Sequence, residues 1–232
     1  MAATDRPLLA VLIDADNVPA RHARKIMREV QSIGEPALRR VYGDWSNDSL
    51  KGWKDPIHTL GLVAHQETAN SRGKNATDIG LVIHAMDILH SGRFDAFVIV
   101  SSDSDFTALV NRLREDGLTV YGIGEAKTNE ALRNVYNRFI LIENIPDPDE
   151  TPATPPKGKA AKALPLFREA LEKIDSEDGW VNLGPIGQAI QARHPDFDSR
   201  SFGFAKLSAL VAALDALETR KDGNRLLVRL KD

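Results

Sequence analysis

The 232-residue sequence contains no cysteine. Without cysteine there is no disulfide, no thiolate ligand and no cysteine nucleophile, so any metal must be held by oxygen or imidazole. Oxygen ligands favour magnesium or manganese. The sequence also lacks an apolar run near the roughly 20 residues that a membrane helix needs, and its start shows no signal-peptide pattern. We therefore expect a cytoplasmic protein with no membrane partner.

An excess of charge of one sign is also missing. The net charge is -3; residues 1–156 carry 17 Lys and Arg against 22 Asp and Glu, and residues 157–232 carry 13 against 11. Neither part is strongly basic, so any binding of nucleic acid must depend on local patches.

Short apolar runs alternate with helical patterns over residues 1–145. This alternation predicts an α/β domain, in which a mostly parallel sheet carries helices on both faces. The expected strands are 8–13, 37–42, 62–65, 96–101, 118–123 and 138–142, and helices are expected near 19–33, 77–91, 105–116 and 129–136.

Residues 146–160 contain five prolines and almost no bulky apolar side chain, which predicts a linker. Residues 161–232 form a second, smaller module. Three helical patterns, near 162–174, 184–193 and 201–213, precede two short strand-like runs around Asp222-Gly223. Three helices and a hairpin predict a winged-helix domain.

Aspartates follow two of the expected strands. Asp14 and Asp16 come after the first strand, Asp103 and Asp105 come after the fourth, and Asp78 opens a helix. Ligands of open α/β sheets bind beyond the carboxyl ends of the strands, so these side chains are expected to converge. Clustered carboxylates repel one another unless a cation neutralises them, which points to bound Mg²⁺ or Mn²⁺ and to phosphodiester hydrolysis. Each aspartate taken alone also fits a turn or a helix cap.

The strings IDADN, KNATDIGLVIHAMDIL, VIVSSDSDF and GIGEAKTNEALRNVYNRFILI resemble the NYN-domain family, a branch of the PIN-like nucleases. The resemblance implies a PIN-like fold and a metal-dependent ribonuclease, with endonucleolytic cleavage as the expected mode. It also implies that Asp14, Asp78, Asp103 and Asp105 hold the metal and that Asn17 joins them at the substrate phosphate. Asp16 falls on a less constrained position. His84 stands where relatives commonly carry aspartate, which leaves catalytic strength open.

Several basic residues of the first domain are candidates for holding RNA. Four recur on one side of the first helix as a cationic stripe, opposite an apolar face. Two lie in the loop before Asp78, and Lys127 follows a Gly122-x-Gly124 pattern that weakly resembles a phosphate cradle. Trp45 and Trp53 are candidates for base stacking, although packing at the sheet edge also explains them. The basic candidates are Arg21, Arg24, Lys25, Arg28, Arg72, Lys74 and Lys127.

The strings GWVNLGPIGQAI, HPDFDSRSFGFAKLSALVAAL and ETRKDGNRLLVRL resemble the OST-HTH/LOTUS family of winged-helix domains. That resemblance implies binding of RNA or of a partner protein. The candidate contacts are Arg200, Lys206, Arg220, Lys221 and Arg225.

Three functional hypotheses remain open. The leading one is a two-part RNA-processing enzyme, in which the winged helix captures RNA and the NYN domain hydrolyses it with Mg²⁺ or Mn²⁺. A haloacid-dehalogenase-type phosphatase would use Asp14 as a nucleophile, because the D-A-D string follows the first strand. A non-catalytic RNA-binding scaffold takes its support from His84.

Overall fold

Six apolar runs of the N-terminal unit form one parallel sheet. The computed structural model describes residues 6–67, 76–147, 159–174, 176 and 179–231. The strands are β1 (Leu8–Asp14), β2 (Glu35–Gly43), β3 (Val63–Gln66), β4 (Ala96–Val100), β5 (Thr119–Gly124) and β6 (Arg138–Leu141). Their order in the sheet is β3-β2-β1-β4-β5-β6: successive strands are added on one side of β1 up to β3, and on the other side from β4 onwards. In such sheets ligands bind beside the point where this direction reverses, here between β1 and β4.

Helices cover both faces of this sheet, which confirms the predicted PIN-like α/β fold. One short helix, α2, was not predicted; it is only seven residues long, and a left-handed Gly61 (φ 61°) ends it. Among the described helices, none combines the length and apolar character needed to cross a membrane. The helices are α1 (Ala23–Ile33), α2 (Lys54–Leu60), α3 (Ala76–His90), α4 (Thr107–Glu115) and α5 (Glu130–Val135).

Alternate residues of β1 enter two different cores. Leu9, Val11 and Ile13 pack on the side of α1, whereas Ala10 and Leu12 pack on the side of α3. A strand covered on both faces must be apolar at every position, and this is why the run is continuous. Side chains alternate along a strand, so Asp14 shares the face of Leu12 and lies beneath α3.

The C-terminal unit spans Asp149–Asp232 and is a winged helix, as predicted. Its elements are α6 (Leu164–Leu171), β7 (Val181–Asn182), α7 (Leu183–Arg193), α8 (Leu207–Ala212), β8 (Leu217–Asp222) and β9 (Arg225–Leu230). The sheet is antiparallel with the order β7-β9-β8. The third helix is shorter than the predicted 201–213, because a left-handed Gly203 (φ 87°) separates a 3-10 turn from α8.

Gly122→Ala tests the close packing of β5 against the side chains of Tyr136 and Phe139. A Cβ at Gly122 would lie 2.4 Å from Phe139 Cδ2 and 2.9 Å from Tyr136 Cδ2. We expect the variant to lose about 2 kcal/mol of unfolding free energy, the usual cost of overpacking a core. Urea unfolding followed by tryptophan fluorescence measures this loss.

Gly52→Ala is the matched control. Its Cβ would lie 3.4 Å from Ala20 Cβ, so we expect a change within about 0.5 kcal/mol. Equal stabilities of the two variants would contradict the described packing of Gly122.

Candidate active site

Three aspartate carboxylates converge at the carboxyl edge of the sheet. Asp78 lies in the first turn of α3, and Asp103 and Asp105 follow β4. Each offers an oxygen, and the three oxygens lie within 4.8 Å of one another. Asp103 also caps the 3-10 turn Ser104–Phe106, because its Oδ1 accepts a hydrogen bond from Asp105 N at 2.9 Å. Capping and carboxylate clustering therefore coexist in this loop.

The electrostatics of the cluster are set by burial and by mutual repulsion. Burial raises the pKa of Asp78 to about 6, with further contributions from Asp14, Asp103 and Asp105. A bound divalent cation relieves this kind of repulsion, and carboxylate oxygens are the ligands that Mg²⁺ and Mn²⁺ prefer. The three carboxylates therefore fit a hard divalent metal ion.

Asp14 lies next to this cluster but outside the group of three. It is fully buried, and its Oδ2 accepts hydrogen bonds from Asn17 Nδ2 at 2.7 Å and from Ser101 Oγ at 2.9 Å. Burial raises the pKa of Asp14, while the bonds from Asn17 and Ser101 act in the opposite direction. Asn17 therefore positions Asp14, and Ser101 is a partner that sequence reasoning missed.

A hydroxyl links the loop after β1 to the start of α3. Thr77 Oγ1 donates a hydrogen bond to Asp16 Oδ2 at 2.7 Å. Thr77 is buried and directly precedes Asp78. Asp16, expected at the margin of the site, thus helps to hold the helix that presents Asp78.

His84 belongs to a cluster of rings on the same face of the sheet. Its ring centroid lies 5.5 Å from that of Tyr42 and 4.7 Å from that of His65. Burial lowers the pKa of His65, and Arg40 and His84 lower it further. His84 therefore packs against other rings, and the group of three clustered carboxylates does not include it.

The cationic stripe on α1 is narrower than predicted. Arg21 and Arg28 are exposed, and Arg24 pairs with Asp55 at 3.1 Å. Lys25 departs from the prediction, since it is only 9% exposed. The reason is geometric: one residue beyond Arg24, the helix has turned by about 100° towards the apolar face.

Gly122 and Gly124 lie within β5, and packing rather than a phosphate explains both glycines. A Cβ at Gly124 would lie 2.8 Å from both Phe139 Cζ and Ser101 O, so close packing explains this residue as it explains Gly122. Lys127 forms an ion pair with Glu125. Trp53 is 1% exposed and belongs to the core. Arg72 and Lys74 lie outside the described residues.

On the winged helix, three of the five candidates extend from the hairpin of β8 and β9. Lys221 and Arg225 are exposed, and the Arg220 guanidinium lies 4.6 Å from the centroid of the Trp180 ring. Arg229 lies 4.7 Å from the same ring, and sequence reasoning missed both it and Trp180. The GWV string and the alternation along β9 were the available signals. Of the other two candidates, Arg200 forms an ion pair with Asp198 at 2.6 Å, and Lys206 is exposed.

A PIN-like sheet with an acidic site at its carboxyl edge defines a nuclease-like α/β fold. The model of the NYN domain matches residues 8–143, and that of the OST-HTH/LOTUS domain matches residues 157–228. The chain therefore belongs to the NYN-domain family and carries an OST-HTH/LOTUS domain after it. NYN domains are typically nucleases, and such nucleases generally use divalent metals. The OST-HTH/LOTUS domain indicates RNA binding.

Two solved structures resemble parts of the chain. A crystal structure of a protein of unknown function from Vibrio parahaemolyticus shares 20% identity, with a TM-score of 0.50 over 61% of this chain and 96% of that one. An NMR structure of an uncharacterized protein from Nitrosomonas europaea shares 32% identity over 37% of this chain and 85% of that one, with a TM-score of 0.28. The first supports the fold alone. No curated protein matches the sequence.

The raised pKa of Asp78 predicts a pH-dependent stability in EDTA. The pKa is 3.8 for an ordinary carboxyl and about 6 in the folded protein, so the folded state retains the proton longer. The contribution of protonated Asp78 to the free energy of unfolding is fully present below pH 3.8 and is lost as the pH rises through about 6. Because Asp78 is partly exposed, we expect this loss to be about 1 kcal/mol after solvent screening.

Urea titrations between pH 4 and pH 7.5 measure this slope. Asp78→Asn should flatten it, whereas Asp87→Asn, an exposed position on the same helix, should leave it unchanged. A slope that is identical in Asp78→Asn and in the parent protein would contradict the assigned electrostatics.

Proposed function

We propose that the protein is a ribonuclease that hydrolyses RNA phosphodiester bonds with Mg²⁺ or Mn²⁺. The observation that supports this most directly is the convergence of Asp78, Asp103 and Asp105 within 4.8 Å at the carboxyl edge of an NYN domain. Ionised carboxylates held this close repel one another and destabilise the folded state unless a bound cation neutralises them. Such an arrangement serves a reaction in which negative charge accumulates on a phosphate.

In this proposal Asp78, Asp103 and Asp105 hold the metal. A bound divalent ion supplies stabilisation of phosphate charge and a lowered pKa for water. Asp14 adds negative charge beside them, and its hydrogen bonds to Asn17 and Ser101 keep the loop after β1 in place. Endonucleolytic cleavage is our proposed mode, since the site lies at an open edge of the sheet.

The winged helix is proposed to retain the RNA. Its exposed hairpin cations, Arg220, Lys221 and Arg225, form a local positive surface of the type that contacts phosphates. In the nuclease domain, Arg28 on α1 and Arg21 in the 3-10 turn before it (Ala20–His22) are proposed to contact RNA as well. A protein partner of the OST-HTH/LOTUS domain is a further proposal of the same kind.

The two other hypotheses receive less support from the geometry. An aspartyl nucleophile must reach the phosphorus atom, yet Asp14 is 0% exposed and both of its oxygens accept hydrogen bonds. The scaffold hypothesis depended on His84, and this residue packs against Tyr42 and His65.

Cleavage assays on Asp103→Asn test the proposal. With Mn²⁺ and a labelled RNA that contains single-stranded and hairpin regions, we expect the rate to fall at least about a hundredfold, because a metal ligand is lost. EDTA should abolish cleavage by the parent protein. Gel analysis of end-labelled fragments also distinguishes internal from terminal cuts.

Asp87→Asn serves as the control for this assay and should cleave at the parental rate. The proposal would be sunk if the parent protein cleaved no RNA with either metal, or if Asp103→Asn cleaved as fast as the parent. Retained RNA binding in an inactive parent protein would favour the scaffold.

A further inference from the structure

A largely apolar hollow of about 530 Å³ opens beside the end of β2. Its volume falls within the range of pockets that receive small organic groups. Its walls come from the segment after β2, from the 3-10 turn Asp48–Trp53, from α2 and from β3. The lining residues are Trp45, Leu50, Lys51, Lys54, Ile57, His58 and Ala64.

The indole of Trp45 is held in a fixed orientation at this hollow. Its Nε1 donates a hydrogen bond to His65 O at 2.8 Å. Its backbone N donates to Gln66 Oε1 at 3.0 Å, and Gln66 Nε2 in turn donates to Asp44 Oδ1 at 2.8 Å. The ring remains partly exposed. A flat ring fixed in this way loses little entropy when a second flat ring stacks on it.

The hollow adjoins the loop that carries Asp14 and Asp16. A Cβ at Gly43 would lie 2.7 Å from Leu50 Cδ1, 3.3 Å from Ala15 Cβ and 3.7 Å from Trp45 Cη2. Leu50 and Trp45 line the hollow, and Ala15 stands between the two aspartates of the β1 loop. Ala15, Leu50 and Trp45 pack on the α1 side of the sheet, whereas Asp14 lies beneath α3. The hollow and the acidic site therefore lie on opposite faces of the sheet, with residues 14–16 between them.

Basic side chains lie at the mouth of the hollow. Lys51, Lys54 and His58 are exposed, and Lys54 and His58 are four residues apart on one side of α2. Lys51 forms an ion pair with Asp48 at 3.0 Å, so Lys54 is the lysine offered to an anion. Of the described residues that line the hollow, none is acidic. An apolar interior with an aromatic wall and lysines at its mouth complements a group that is flat, apolar on its faces and attached to an anion.

We propose that this hollow receives one unpaired nucleobase of an RNA strand, stacked on Trp45, with the adjoining phosphate at Lys54. The inference rests on the proposed function, because it concerns the substrate of the neighbouring site. Every base has a π-face, so such a pocket selects unpaired bases without strong preference among them. Bases in a duplex are already stacked and do not enter it.

Binding of RNA in EDTA tests this inference without cleavage. The probes are a fluorescein-labelled single-stranded ribohexamer and a blunt duplex of the same length. We expect Trp45→Ala to weaken binding of the hexamer about tenfold and to leave binding of the duplex unchanged. Trp45→Phe keeps a stacking face and should stay within about threefold of the parent protein.

Lys54→Gln should weaken hexamer binding and reduce its dependence on salt. Arg93→Gln removes an exposed cation just before β4, at the opposite edge of the sheet; it is the control and should change neither. Mn²⁺ affinity should be the same in Trp45→Ala and in the parent protein, because the carboxylates are untouched.

Photo-cross-linking of a hexamer that contains 5-iodouridine locates the base directly and does not depend on the stability of any variant. The expected product is a cross-linked peptide that contains Trp45. Cross-links found only elsewhere, or a Trp45→Ala protein that binds both probes as the parent does, would overturn the base pocket. If the parent protein cleaves no RNA but still binds the hexamer in a way that depends on Trp45, the ribonuclease proposal is overturned and the base pocket is retained.

Discussion

A carboxylate removed from water must receive hydrogen bonds, and Asp14 obtains them from two separate loops. Asn17 supplies bonds from within the β1 loop, and Ser101 supplies one from the end of β4. The same Ser101 hydroxyl accepts a hydrogen bond from Asp103 N at 3.1 Å. One buried carboxylate thus ties together the two strands between which the sheet reverses. The position of the loop that carries Asp103 depends on this link.

The cluster of Asp78, Asp103 and Asp105 lowers the stability of the folded state. Burial and four neighbouring aspartates oppose the ionisation of Asp78, so the geometry that attracts a cation also weakens the fold in its absence. The continuous apolar strands on either side compensate, since residues 9–13 of β1 and all of β4 are buried. A rigid, apolar sheet allows such a site to persist, because its strands hold the acidic loops in place.

Much of this arrangement could be predicted from the sequence, and the failures have physical causes. The strands were predictable because buried parallel strands need uninterrupted apolar runs, and the aspartates after them were predictable because the carboxyl ends of parallel strands share an edge. The bond from Ser101 to Asp14 was not, since it joins residues 87 positions apart. Likewise Lys25 follows the cationic spacing of α1, and only the tertiary packing shows that it is buried.

The hollow beside Trp45 illustrates the same limit. The sequence offered Trp45 and Trp53 as equal candidates for stacking, because both are large aromatic residues near the predicted edge of the sheet. The structure separates them: Trp53 is buried in the core, whereas Trp45 lines an accessible hollow with its indole fixed by a backbone carbonyl. Side-chain orientation at the end of a strand depends on neighbours that no local pattern records.

The hydrogen bond from Thr77 to Asp16 joins residues 61 positions apart and anchors the start of α3 to the β1 loop. Neither Thr77 nor Asp16 belongs to the group of three carboxylates, yet their hydrogen bond fixes the turn of α3 from which Asp78 extends. The geometry of the acidic cluster therefore depends on a contact between two residues that are not members of it.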